Sequence, residues 1–306
     1  MRSEVRGDGV PWQMLKPEVL MLVPGCESGE APCKVAELAH GKINHTLLVA
    51  TRAGEFVLRL RGADAARLGV DRRRELALQR AAASVQLAPA VLAVSADARA
   101  SVSPFVPGRA WSSADLGDAH SVERFGLHLR ELHALARPVE ISPTVFDPLR
   151  HLRNYAVQVV RAVPEDAPLI EAAVARAATA FERGGSAARG AAVTHLDLHP
   201  DNVIECAPQR ERLVFIDWEY GAWADPALDL AATVAIEPAL APHLERLIEA
   251  AGLGRVLSRE QLESLRLVFE ATHWLWYRAC RLAGRAAAAE EEVETRLFGR
   301  LMRARS

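Results

Sequence analysis

Apolar and polar positions alternate through the first third of the 306-residue chain. The runs CKVAEL, ending at about residue 38, HTLLVAT at 45–51 and GEFVLRLRG at 54–62 have the short, β-rich character of strands, with Gly41 and Gly54 in the turns between them. This predicts an antiparallel meander. From Asp71 to Ser84 the stretch DRRRELALQRAAAS is made of good helix formers, and PAVLAVS and ASVSPFVPG read as two more strands. The expected order is three strands, one helix and two strands.

At PFVPG, Pro104, Pro107 and Gly108 form a rigid kink, beyond which nearly everything reads as helix, including SVERFGLHLRELHALA from Ser121 and PLIEAAVARAATAFERG from Pro168. The kink is a lobe boundary on this reading. The tail from Ser258 predicts two amphipathic helices, the first with Ser258 as N-cap and Glu260 close behind. Alanine-rich stretches are expected on helix surfaces, and no internal repeat is visible.

Half of the residues are apolar and 25% are charged, enough for one large domain or two lobes sharing a cleft. A net charge of −2 gives no global field to recruit nucleic acid or an anionic membrane. The four cysteines include no C-x-x-C pair: Cys26 and Cys33 are too far apart for the usual zinc or redox spacing. The first 15 residues carry charges of both signs and no apolar leader core, and no run approaches the ~18 apolar residues of a membrane span. A cytoplasmic protein is expected, with no nucleic-acid or membrane partner; the oligomeric state is open.

The densest chemistry lies in THLDLHPDNVI, residues 194–204. HLDLHPDN fits the pattern H-R-D-x-x-x-x-N of phosphoryl-transfer loops, with Leu196 in place of arginine. In such a loop a carboxylate, here Asp197, accepts a hydrogen bond from the attacking hydroxyl. An amide oxygen five residues on, here Asn202, binds the Mg²⁺ that neutralises the phosphates. Next, VIEC and LVFI read as a hairpin pairing residues 203–206 with 213–216, which would set Asn202 opposite Asp217 so that one cation bridges them. Asp, Asn and Pro also crowd ordinary turns, but a chance match in a chain of this length has odds on the order of one in a hundred.

Together, VTHLDLHPDNVI and LVFIDWEYGAWADPALDLA resemble the aminoglycoside phosphotransferase and choline kinase superfamily over about residues 36–290, most sharply from 193 to 231. The resemblance implies an α+β, two-lobed protein-kinase-like fold, with an N-terminal antiparallel sheet carrying one helix and a mainly helical C-terminal lobe. The expected division is an extension at 1–35, a nucleotide-binding lobe at 36–106 and a catalytic, acceptor-binding lobe at 107–306. It implies ATP and Mg²⁺ as cofactors, Asp197 as the base, Asn202 and Asp217 as metal ligands, Asp229 as a brace for the catalytic loop and Asp225 as a helix cap. HGKINHTLLVA would cover the phosphates; with one glycine, Gly41, it needs Asn44 and Thr46 as donors. The phosphate-binding cation is Arg59, paired with Glu75, and a VLR pattern of this kind resembles choline and thiamine kinases. SPFVPGRAW supplies the adenine-side hinge around Ser103 and Phe105.

Trp218, Glu219, Trp274 and Tyr277 are the acceptor-binding candidates. Trp274 and Tyr277 share a helix face, where they form either a cation cage or core packing. His133 reads as a structural histidine, and His199 as either a phosphate contact or a loop organiser. The expected activity is phosphorylation of a hydroxyl on a small cationic metabolite such as choline, ethanolamine or thiamine. An antibiotic kinase is the alternative enzyme. A pseudokinase binding module is the non-enzyme alternative, and it should have lost Asp197, Asn202 or Asp217; all three are present.

Overall fold

The computed structural model describes residues 15–40, 44–62, 70–185, 189–208, 211–282 and 288–303. Gly41 of the expected phosphate-covering turn therefore lies outside the described residues. In chain order the elements are α1 (Pro17–Leu20), β1 (Lys34–His40), β2 (Asn44–Thr51), β3 (Gly54–Arg61), α2 (Arg72–Ser84), β4 (Ala93–Val94), β5 (Ala100–Pro104) and β6 (Gly108–Ala110). Then come α3 (Ser113–Leu116), α4 (Ala119–His133), α5 (Pro148–Ala162), α6 (Ala167–Gly184), β7 (Ala192–Thr194), β8 (Val203–Cys206), β9 (Leu213–Phe215) and β10 (Ala222–Ala224). Four helices close the chain: α7 (Ala227–Ile236), α8 (Leu244–Ala250), α9 (Arg259–Leu282) and α10 (Ala288–Arg303). Among the described residues no helix is long and apolar enough to cross a membrane.

These elements form two compact units. The first comprises residues 1–111, 138–141 and 201–220; the second, residues 112–137, 142–200 and 221–306.

The first unit holds the expected meander, a sheet of order β1-β2-β3-β5-β4 with antiparallel neighbours. Its strand alternation sorts Leu47, Val49, Phe56, Leu58, Ala100 and Val102 onto one apolar face. The segment leading into β1 covers that face: Leu20, Val23 and Cys26 are buried there, with Leu15, Val19 and Leu22 packed alongside. Leu20, Val23 and Cys26, which lie in the expected extension, thus contribute to this core. On the other face the register places Arg59 between Thr46 and Ser101, so all three point the same way. Helix α2 starts at Asp71, whose carboxylate accepts hydrogen bonds from the backbone N–H groups of Arg73 and Arg74. Its Arg72 and Gln79 side chains reach Ser101 and Ser103 of β5.

A second small sheet, of order β6-β8-β9, lies in the same unit. The helical reading beyond the kink missed β6, a three-residue strand too short to show alternation. Its first residue must be glycine, because a Cβ on Gly108 would stand 2.3 Å from the Glu205 carbonyl oxygen.

The second unit is mostly helical, with one two-stranded ladder, β7 with β10. Asp118 caps α4, and Asp147 caps α5, where Pro148 follows at the first helical position. Helix α7 is buried on every side from Ala227 to Ala235, which suits a helix at the centre of a core. The alanines of α6 divide between two faces: Ala172 and Ala175 are exposed as expected, whereas Ala173, Ala177 and Ala180 are buried. Their small side chains allow close packing with α9, which touches α6 along its length. The two tail helices are present. Ser258 opens α9 through a reciprocal box, its Oγ accepting from Gln261 N (3.1 Å) and its own N donating to Gln261 Oε1 (2.9 Å). Glu260 stands in the first turn as expected, and Gln261 closes the box. Helix α10 is held to α9 by Arg300 and Glu270, by Glu294 with Arg278 and Arg281, and by Trp274 on Phe298.

Candidate active site

In the second unit the catalytic-loop motif follows directly on β7. Asp229, on the buried helix α7, accepts through one oxygen from the backbone N–H of His195 (2.9 Å) and of Leu196 (2.6 Å). Its other oxygen lies 2.8 Å from Nε2 of His133. The Asp229 side chain is fully shielded from solvent. This is the expected brace, and it explains the loop's most unusual feature: Leu196, a bulky residue, has φ = 62°. Such a conformation costs on the order of 1–3 kcal/mol and persists only where neighbours over-determine it. The double hydrogen bond from Asp229 does so, and Asp197 is the next residue along. His199 N donates to the Asp197 carbonyl (3.1 Å), and its ring Nε2 lies 4.0 Å from Asp197 Oδ2. Asp225 accepts from Ala227 N at the start of α7, as a cap should, and is also clamped by Arg189 through both oxygens (2.9, 2.9 and 2.7 Å).

The first unit holds the other charged cluster, around Arg59. The guanidinium contacts Asp217, Glu219 (2.9 Å) and, more loosely, Glu75 (3.5 Å). Burial pulls its pKa down, yet the three carboxylates Asp217, Glu75 and Glu219 more than compensate and hold it above the ordinary arginine value. Arg59 and Glu75 are thus brought together as expected. Glu75 also pairs with Arg72, which the sequence reading passed over although it stands three residues before Glu75 on the same helix. Asn44, expected at the phosphates, donates its amide to Glu219 (2.6 Å), and both residues are buried. Thr46 is half-buried beside Arg59 in the sheet. Of the hinge groups, Ser103 Oγ accepts from Gln79 (3.3 Å), and Phe105 N–H is spent on the Glu55 carbonyl (3.0 Å).

The hairpin exists, but its register differs by one residue from the expected pairing. Val203 faces Phe215, so Asn202 comes opposite Ile216, whose N–H donates to the Asn202 carbonyl at 3.0 Å. Asp217 therefore lies one step beyond the ladder. It leaves the strand through a left-handed backbone, φ = 65°, and its side chain is 37% exposed. A turn of this kind was invisible to strand counting, which assumes an unbroken pleat.

The acceptor candidates belong to different units, Trp218 and Glu219 to the first and Trp274 and Tyr277 to the second. Trp218 is 1% exposed, its indole N–H donating to the Phe215 carbonyl (2.9 Å) within the first unit, and Glu219 is tied to Arg59 and Asn44. In the second unit Trp274 is 2% exposed and packs on Phe298, with ring centroids 5.3 Å apart. Tyr277 is half-buried and meets Trp276 edge-on at 4.9 Å.

The chain is similar to several known proteins. The model of the phosphotransferase enzyme family matches residues 34–268. No curated protein sequence matches the chain significantly. Among solved structures, choline kinase LicA from Streptococcus pneumoniae is 19% identical with a TM-score of 0.74, over 90% of this chain and 96% of its own. A choline/ethanolamine kinase family protein from Mesorhizobium loti is 21% identical with a TM-score of 0.71, over 94% and 92%. A spectinomycin phosphotransferase in complex with ADP and spectinomycin is 12% identical with a TM-score of 0.57, over 90% and 94%. These likenesses establish the protein-kinase-like α+β fold. With three quarters of its length matched by the family model, the chain belongs to the phosphotransferase enzyme family and is a small-molecule kinase acting on an alcohol group.

Proposed function

We propose that this kinase transfers the γ-phosphoryl group of ATP to the hydroxyl of a small cationic alcohol such as choline, ethanolamine or thiamine. The observation that carries the reading is the fixed backbone of the catalytic loop, where Asp229 holds Leu196 left-handed immediately before Asp197. Asp197 is the general base. It takes the proton of the acceptor hydroxyl as that oxygen bonds to the γ-phosphorus and the bond to the β–γ bridging oxygen breaks, releasing ADP. Arg59, with Glu75 behind it, and the polar groups of Asn44 and Thr46 serve the phosphates, while the chain around Ser103 and Phe105 serves the adenine. Nucleotide-bound relatives of the same fold support this, LicA having been solved with AMP and the spectinomycin enzyme with ADP.

The donor set fits Mg²⁺. Asp217 offers a partly exposed carboxylate and Asn202 an amide oxygen, on chain segments joined by the Ile216 to Asn202 hydrogen bond. Among the described residues no group of three or more His, Cys, Asp or Glu is set to hold a metal. Mg²⁺ takes one or two protein oxygens and completes its shell with phosphates and water. When bound, the ion supplies charge neutralisation at the phosphates.

The preference for a cationic alcohol rests on Arg59 in its VLR setting and on the choline-kinase relatives, whose folds superpose more fully than that of the spectinomycin enzyme. ADP formation against choline, ethanolamine, thiamine and kanamycin tests it, with turnover expected on the amino alcohols. Asp197→Asn should keep ATP binding and lower kcat by ~10²- to 10⁴-fold, the range for losing a positioned base. Near wild-type turnover in that variant removes Asp197 from the role, and turnover on kanamycin alone makes the chain an antibiotic kinase.

A further inference from the structure

Helix α9 carries two different aromatic surfaces. Trp274 is sealed against Phe298 of α10. His273, turned by about 100° from its neighbour, is aligned instead with Phe269 one turn before it, ring centroids 6.2 Å apart, and with Tyr277 one turn after it. His273, Trp276 and Tyr277 are half-buried where Trp274 is closed off. Helix α5 packs along α9 and brings His151, which is stacked edge-on with Tyr155 at 4.9 Å and tilted on Phe146 at 5.5 Å. Burial pushes the His273 imidazole down to about 4, and the neighbouring His199 and His151 push in the same direction. His273 is thus within electrostatic reach of His199, the residue whose ring lies 4.0 Å from the Asp197 carboxylate.

At neutral pH this imidazole is uncharged, with one ring nitrogen a donor and the other an acceptor. Its Nδ1 is buried and has no hydrogen-bond partner. A buried polar atom left this way in a native protein calls for a ligand or water.

We propose that His273 is a specificity-determining residue of the acceptor site, its Nδ1 hydrogen-bonding a polar group of the alcohol other than the reacting hydroxyl. The inference rests on Asp197 being the base. It narrows the substrate class: an acceptor that keeps an N–H or second O–H satisfies the imidazole, whereas a trimethylammonium group has neither donor nor acceptor and leaves Nδ1 orphaned. Trp274, closed by α10, takes no part.

The test is ADP formation by the full chain across ethanolamine, its mono- and dimethyl derivatives, choline and kanamycin, with KM for ATP and melting temperature measured in parallel. Wild type should favour ethanolamine over choline by about tenfold or more in kcat/KM, the scale of one buried hydrogen bond to a charged group. His273→Leu should erase that preference by raising KM for ethanolamine, with KM for ATP unchanged, and His273→Asn should restore part of it. A wild-type profile that is flat or rises with methylation overturns the inference whether or not the variants fold. So does a stable His273→Leu protein with unchanged acceptor KM. ADP formation with no alcohol at all overturns the kinase reading itself, which is a different result from turnover without discrimination.

Discussion

Asp229 and Asp217 are both acids beside a left-handed residue or in one, yet their surroundings are opposite. Asp229 is wholly enclosed, and its partners are two backbone N–H groups and a histidine. None of those can leave without leaving an unpaired buried group. Asp217 is more than a third exposed, and its partner Arg59 has two further carboxylates to hold. The first arrangement is a permanent part of the fold. The second can change partners at little cost, which is what a ligand for a metal and a nucleotide needs. The difference separates an acid locked into the fold from the one proposed here as a metal ligand, although both stand in the same conspicuous stretch of sequence.

The largest expected effect is on the proposed metal ligand. Asp217→Ala should abolish ADP formation at every Mg²⁺ concentration while shifting stability by no more than about 1 kcal/mol, as for an exposed ion pair whose partner stays engaged. Asn202→Ala should be milder, raising the Mg²⁺ requirement. Activity titrations and denaturation of both variants check this; a collapse in stability of Asp217→Ala would erase the contrast.

Next comes the acid locked into the fold. Asp229→Ala leaves the His195 and Leu196 amides without an acceptor, and each such group costs about 1–3 kcal/mol. A loss on the order of 3 kcal/mol in unfolding free energy is therefore expected, with a fall in kcat as Leu196 relaxes and Asp197 loses its place. Asp229→Asn, which keeps one carbonyl oxygen, should recover part of both. If Asp229→Ala keeps wild-type stability, the loop is braced by something else.

The smallest effect asks whether His273 belongs with the groups kept in waiting. Its folded pKa of about 4 lies below the unfolded histidine value of about 6.5. Below pH ~6.5 the unfolded chain takes up a proton that the folded chain refuses. The stability due to the neutral ring is therefore complete above that pH and is lost as pH falls toward 4, at up to ~1.4 kcal/mol per pH unit. His151 and His199 both act electrostatically on this ring and lower its pKa further. Unfolding free energies of wild type and His273→Asn from pH 7.5 to 4.5 should diverge in slope through this window; parallel curves would place the ring in solvent.

The meander, the helix after it, the catalytic-loop motif and the two tail helices were all legible because each is written in local terms: a two-residue period, helix-forming residues, or a fixed spacing of polar groups. Arg59 with Glu75 and Asp229 with the catalytic loop were legible through family resemblance. Other features were not. Trp274 and Tyr277 read equally well as cage or core, and only the tertiary packing distinguishes them, with Trp274 buried on Phe298 and Tyr277 left half-buried. The Asp217 position was misjudged because the hairpin loop sets the register, and the ladder closes on Glu205 with Leu213 where the count had paired residue 206 with 213.

By itself, then, the sequence determined the N-terminal meander with its helix, the tail helices and the family, and it put forward the residues proposed for phosphoryl transfer, since hydrophobic period and motif spacing are properties of neighbouring positions. Only the tertiary structure decided that Leu20, Val23 and Cys26 are core, that residues 201–220 pack with the N-terminal sheet, and that Glu219 and Asn44 hold one another across 175 positions of chain. It also decided that α9 turns Trp274 into α10 while His273 keeps an orphaned nitrogen. Those outcomes depend on which distant surfaces exclude water from a side chain and which polar groups are left to pair inside, and no local pattern records that.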